Sequence, residues 1–268
     1  MNDFLQGLSV LALNSKSNKV TIFVDPFFIC EIKDFLTPRL YNDLARTFPS
    51  VELFGQYDKG GKQSLDIRSQ VTRDFLLKNP IWKDFTDSIN KHKTSLILRE
   101  YLEEYIPERD NFKRREWFTE VDFYDQNKKL TKSPSNSDMN LVRYSFEFSH
   151  LPYGSYIPPH TDSMTKVISM ILYFPDHDLM GKDEYQNGTY FLKPNQQGIT
   201  LSTNDSIHLR GDDLKCFRKN YEVLHYAEFI PNKFLLFIKN DVSWHEIKQQ
   251  IHPKPLTRKA FIINVFCR

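Results

Sequence analysis

From position 141 to 268 the chain is a succession of short apolar runs, each about one strand long and each closed by Pro, Gly, Asn or Asp. Val142, Tyr144, Phe146 and Phe148 alternate with polar neighbours, the period-2 pattern of a strand with one buried face. Residues 167–174, 189–192, 199–201, 223–230, 234–238 and 261–266 continue the series. No helical pattern separates these runs, whereas parallel strands need long crossovers, usually helical. The segment therefore predicts an antiparallel sandwich or barrel and disfavours a doubly wound parallel sheet.

The front of the chain reads differently. Residues 20–29 (VTIFVDPFFI) are β-branched and aromatic and predict a strand or extended chain. Thr37-Pro38 then opens a helix whose Leu40, Leu44 and Phe48 fall on one face. Residues 81–105 predict one further helix, with Phe85, Ile89, Leu96, Ile97 and Tyr101 near a 3.6 period and Pro107 beyond its end. The most polar stretch, 125–140, contains Ser-Pro-Ser-Asn and predicts a mobile loop. No repeat or shift in composition marks a boundary. The expectation is a single domain, with 1–140 an α/β elaboration of the 141–268 core.

Composition narrows the function classes. Lys plus Arg (36) against Asp plus Glu (34) gives +2, which lacks the electrostatic footprint of a dedicated nucleic-acid binder. Cys30, Cys216 and Cys267 are odd in number and contain no CxxC pair, against a disulfide framework or a cysteine zinc site. No apolar stretch reaches the ~20 residues of a membrane helix, so no membrane association is expected. The apolar run at 8–13 has no basic segment before it, and the chain is expected to be cytoplasmic.

Within the β-rich part lies Pro159-His160-Thr161-Asp162. On extended chain, residues two apart point to the same side, so an imidazole and a carboxylate can converge on one ion. With 8 His and 21 Asp in 268 residues, chance alone supplies about 0.6 such pairs, so the motif needs context. His245, 83 residues beyond Asp162, follows another strand. Two His and one carboxylate make the facial triad of non-haem Fe(II), which leaves coordination positions open. Arg258, 13 residues later, leads the last strand and suits a cosubstrate carboxylate.

In these residues the chain resembles the 2-oxoglutarate- and Fe(II)-dependent oxygenases, particularly their prolyl-4-hydroxylase-like branch. The resemblance rests on PPHTDS (158–163), ISMILYFP (168–175), NGTYFL (187–192), SWHEI (243–247) and TRKAFIINVF (257–266). It implies a mainly β, α+β fold: a double-stranded β-helix of jelly-roll or cupin-like form, with the N-terminal elaboration packed on one sheet. It also implies that His160, Asp162 and His245 bind iron, that Arg258 grips the distal carboxylate of 2-oxoglutarate, and that Tyr173 assists there. Fe(II), 2-oxoglutarate and O2 are the implied cofactors and cosubstrates, with ascorbate as a reductant. The implied reaction is hydroxylation of a C–H bond with release of succinate and CO2.

Departures from the family pattern refine this. Asp162 stands where halogenating members have a small residue, which favours hydroxylation. Nucleic-acid-repair members carry a second arginine six residues after the first, where this chain has Asn264. A small-molecule or peptide substrate is therefore expected, with oligomeric state open. The collagen-type branch has Lys at the place of Arg258. The remaining histidines, His92, His150, His177, His208, His225 and His252, read as non-ligands, and Lys166 reads as solvated. Lys113-Arg114-Arg115 reads as a solvated loop, and 111–140, 177–186 and 207–221 are candidate substrate loops. Two rivals are a non-catalytic cupin-like metal-binding or interaction protein, indifferent to 2-oxoglutarate, and a zinc hydrolase using the same triad.

Overall fold

β-branched and aromatic runs form eleven described strands, β1 (Val20–Phe23), β2 (Ile29–Ile32), β3 (Gln63–Asp66), β4 (Val142–Leu151), β5 (Ile157–His160), β6 (Lys166–Tyr173), β7 (Thr189–Pro194), β8 (Tyr221–Ala227), β9 (Phe234–Ile238), β10 (His245–Ile247) and β11 (Arg258–Cys267). Five described helices accompany them: α1 (Pro38–Arg46), α2 (Gln70–Lys78), α3 (Pro80–Ile89), α4 (His92–Leu102) and α5 (Gly211–Asn220). The structure is a computed structural model and describes residues 4, 6–8, 19–55, 61–89, 92–106, 142–163, 165–176, 186–195, 208–249 and 257–267.

The strands form two antiparallel sheets. The larger has the order β1-β2-β9-β6-β11-β4-β3 and the smaller β5-β10-β7-β8. From β4 onward the chain passes between them: β4, β6, β9 and β11 lie in the larger sheet, and β5, β7, β8 and β10 in the smaller. The front of the chain contributes β1, β2 and β3 to the larger sheet's two edges. No helix among the described residues is long and apolar enough to cross a membrane.

Alternation sets three packing layers. On the outer face of the larger sheet, Phe146, Phe148, Phe261 and Ile263 pack with Leu44, Trp82 and Phe85 from the helices. Trp82 is fully buried, with its ring 4.7 Å from Phe148 and 5.2 Å from Phe261. Burying side chains of this size stabilises by about 1.5–3 kcal/mol each, so this layer holds the helices to the sheet. Between the sheets lie Ile171, Tyr173, Phe191, Phe237 and Ala260. Outside the smaller sheet, Tyr190 and Leu192 pack with Phe217 of α5 and with Trp244. A buried charged group ties the layers at one end: Glu31 on β2 accepts from Lys233 Nζ at 2.6 Å and pairs with His225 of β8.

Several elements differ from the sequence expectation. Residues 20–29 are not one strand: β1 and β2 pair as a hairpin around a cis Asp25–Pro26 bond. The helix expected over 81–105 is described as α3 and α4, and residues 90–91 between them lie outside the described residues. α2 was not legible either. Its signals are local: the Ser69 side chain accepts from Thr72 N at 3.1 Å, and Asn79-Pro80 follows its last turn. α5 interrupts the β-rich half with one buried residue, Phe217, too little to show a helical period. The expected strand at 199–201 and loop at 125–140, Lys113-Arg114-Arg115, His177 and His252 lie outside the described residues, as do most of the candidate substrate loops.

Candidate metal and cosubstrate site

β5 and β10 are neighbours in the smaller sheet, and their register sets His160 directly opposite His245. Pro158 and Pro159 lack an N–H, which suits β5 to its edge position. Asp162 lies two residues beyond His160. One donor atom from each of His160, Asp162 and His245 lies within 4.8 Å of the others, the one such potential metal-holding group found among the described residues.

Each imidazole is oriented by the backbone. His160 Nδ1 donates to the Pro158 carbonyl at 2.9 Å, and His245 Nδ1 donates to the Ser243 carbonyl at 3.0 Å. A carbonyl can only accept, so the proton sits on Nδ1 and the Nε2 lone pair is left for a ligand. Burial pushes both imidazoles below their usual pKa; in His160 the neighbouring His245 adds to the effect, while in His245 Asp162 opposes it. Both rings are thus held in the neutral form that binds metal.

Asp162 is held in the opposite state. Burial would raise its pKa, but the Lys166 ammonium, followed by the two histidines, more than offsets this, and the carboxyl lies well below its ordinary value. Lys166 Nζ donates to Oδ1 at 2.8 Å and Ser169 Oγ to Oδ2 at 3.0 Å. Lys166 is therefore not the solvated lysine that the sequence suggested: its side chain is only 17% exposed. A second surprise is His208, whose ring stacks on His160 at 4.7 Å. The sequence places neither, because neither burial nor a contact across 48 residues leaves a local pattern.

Arg258 opens β11 and is buried. Its Nε donates to the Asn187 carbonyl at 2.9 Å and Nη2 to Thr189 Oγ1 at 3.3 Å. The guanidinium carbon lies 5.0 Å from the Tyr173 ring centre and 5.6 Å from that of Phe229. The Tyr173 hydroxyl hydrogen-bonds Thr189 Oγ1 at 2.8 Å, so Tyr173 reaches the arginine by stacking and through Thr189. No acidic residue among those described pairs with Arg258, and its Nη1 has no described partner.

Arg258, Thr189 and the three metal-type donors line one pocket of about 90 Å³. That is smaller than a drug-sized site of roughly 300–1,000 Å³ and matches a small ligand. The donor set, two neutral imidazoles and one carboxylate with no thiolate, fits Fe(II) in a facial triad. A buried guanidinium without a carboxylate of its own fits a dicarboxylate cosubstrate. The residues present thus fit both groups.

No protein-family model matches the chain, and no curated protein matches it. Solved structures do resemble it. A Pseudomonas putida prolyl-4-hydroxylase is similar at 12% identity over 91% of this chain and 94% of its own, with a TM-score of 0.44. A Trichoplax adhaerens prolyl hydroxylase, in complex with a hypoxia-inducible-factor peptide, is similar at 13% identity over 99% and 90%, with a TM-score of 0.42. The epimerase SnoN, in complex with Fe3+, α-ketoglutarate and nogalamycin RO, is similar at 8% identity over 98% and 84%, with a TM-score of 0.47. At these values the likeness bears no weight by itself, and the functional reading stands on the site's own geometry.

Proposed function

We propose that this chain is an Fe(II)- and 2-oxoglutarate-dependent dioxygenase that hydroxylates a C–H bond. On this reading the alternating strands of 141–268 are a double-stranded β-helix core, and 1–140 is an α/β elaboration of the same domain. One observation carries the proposal: two imidazoles and a carboxylate converge in the same pocket as a buried arginine that has no acidic partner among the described residues.

His160, Asp162 and His245 would hold the metal on one face, and Arg258 would hold the distal carboxylate of 2-oxoglutarate. Once bound, the iron and 2-oxoglutarate supply the oxidising equivalents from O2, with succinate and CO2 released. The protein's part is positional. The Pro158 and Ser243 carbonyls fix the imidazoles, Lys166 and Ser169 aim the carboxylate, and Thr189 with Tyr173 steadies the guanidinium. Ile171, Phe237 and Ile262 give the pocket its apolar wall and limit water there.

The test is succinate formation by purified protein supplied with Fe(II), ascorbate, O2 and 2-oxoglutarate. Succinate formed by the native protein and lost in Asp162→Ala supports the reading. Iron binding with neither binding nor consumption of 2-oxoglutarate replaces it with the cupin-like binding protein. Succinate undiminished in Asp162→Ala removes the metal assignment.

A further inference from the structure

The inner face of the larger sheet carries polar side chains where a sheet interior is usually apolar. On β4, Tyr144, Phe146 and Phe148 enter the outer core, while Ser145, Glu147 and Ser149 face the other way, both serines buried. Glu147 and Ser149 line the same pocket as the triad. Lys62, immediately before β3, lines it too. Gln63 stands opposite His150, which sets Lys62 level with Leu151, four positions from Glu147. The lysine nevertheless pairs with Glu147, so its side chain runs back along the inner face past Ser149. The two side chains are only 20% and 19% exposed. Withdrawing an ion pair this far from water, with a long lysine held in one direction, carries a cost that a surface cross-strand pair does not.

Register fixes where this pair lies. Glu147 is opposite Ile262 on β11, and two residues further Asn264 is opposite Ser169. Ser169 donates to Asp162. Glu147 therefore stands about 7 Å along β11 and, two strand spacings over, about 10 Å across the sheet from Ser169, which supports the metal ligand. Arg258 opens the opposite end of β11, six residues from Asn264. Lys166 is engaged by Asp162, and Arg258 by Asn187 and Thr189.

We propose that Lys62 and Glu147 form a receptor for a zwitterion, and that the substrate is a small free α-amino acid; this rests on the dioxygenase reading. The substrate carboxylate takes Lys62 and its ammonium takes Glu147, so two charge-assisted contacts replace one. The amino-acid side chain then points along β11 toward the triad. A residue inside a peptide carries neither charge on its backbone and leaves both partners of a parted ion pair unmatched.

The experiment is an anaerobic titration of the full chain, loaded with Fe(II) and 2-oxoglutarate, with each standard amino acid. It is repeated with the N-acetyl and amide forms of any that respond. The readouts are displacement of the visible metal-to-ligand charge-transfer band and, after admission of O2, the rate of succinate formation. At least one small free amino acid is expected to shift the band and raise succinate, and its blocked forms are not. Glu147→Gln and Lys62→Met should each weaken that response by about 10–150-fold, the loss of one hydrogen bond to a charged group. Lys62→Arg should recover part of it. A normal band that no free amino acid displaces, or that blocked forms displace equally well, overturns the zwitterion site while leaving the dioxygenase reading intact. Failure of the band to form at all overturns both.

Discussion

Replacing Arg258 with Met separates what the residue does for the fold from what it does for the site. Arg258 is 2% exposed, yet its described partners are a carbonyl and a hydroxyl, both neutral. Desolvating a charge costs several kcal/mol, and two hydrogen bonds to a charged group return about 1.5–3 kcal/mol each. The two contributions nearly cancel. Met fills much of the same volume between Tyr173 and Phe229 without the charge. The apo variant should therefore unfold within about 1 kcal/mol of the native protein, or be slightly more stable. Cosubstrate binding should behave otherwise. Removing a buried partner of a carboxylate costs about 2–5 kcal/mol, roughly 30- to 4,000-fold in the 2-oxoglutarate dissociation constant. A ligand at 100 times its dissociation constant stabilises by about 2.7 kcal/mol, which for a chain of this length raises Tm by about 5–10 °C. Thermal unfolding with Mn(II), with and without 2-oxoglutarate, reads both effects. At the same 2-oxoglutarate concentration the native protein should show that shift and Arg258→Met no more than about a third of it, at nearly equal apo Tm. An apo Tm lowered by more than about 10 °C, with the 2-oxoglutarate shift retained, would refute the reasoning.

Three further outcomes follow from the same contacts. Lys166→Met removes the ammonium from Asp162 Oδ1 and should weaken Co(II) binding, followed by absorption, by about 10–100-fold, the usual effect of losing an outer partner of a metal ligand; unchanged affinity means the lysine has no part in presenting the carboxylate. His160 and His245 are held below 6.5 by burial, so the unfolded chain binds more protons and apo stability should be complete above pH 6.5 and decline as pH falls below it; a melting temperature flat from pH 7.5 to 5 contradicts this. Glu31→Ala strands Lys233, 1% exposed with only Glu228 left at 3.3 Å, and should cost about 3–5 kcal/mol in denaturant unfolding while leaving metal affinity unchanged; a loss under about 1 kcal/mol would show that Lys233 finds another partner.

His160 and Asp162 were legible together because residues two apart share a side of extended chain, whereas His245, 83 residues on, was joined to them only by its place after another strand and by the resemblance carried by SWHEI. That β5 and β10 pair in register could not be read, since strand order is a long-range property. The period-2 reading of β4 located its apolar face correctly. It did not tell what the polar alternates meet, and Glu147 and Ser149 face the pocket rather than solvent. Lys166 shows the same limit, because sequence gives the charge of a side chain and only packing gives its burial. α5 was missed because a helix with one buried residue has almost no periodic signature. The hairpin of β1 and β2 was merged into one strand because Asp25-Pro26 sits inside a continuous run of β-formers.

The most direct measurement is an anaerobic titration of the apoprotein with Fe(II) and then 2-oxoglutarate, followed in the visible region for the charge-transfer band of the chelate. The account predicts a saturable band with one iron and one 2-oxoglutarate per chain, absent in Asp162→Ala and displaced to much higher 2-oxoglutarate concentration in Arg258→Met. Iron bound by His160, Asp162 and His245 with no band at any 2-oxoglutarate concentration would contradict it.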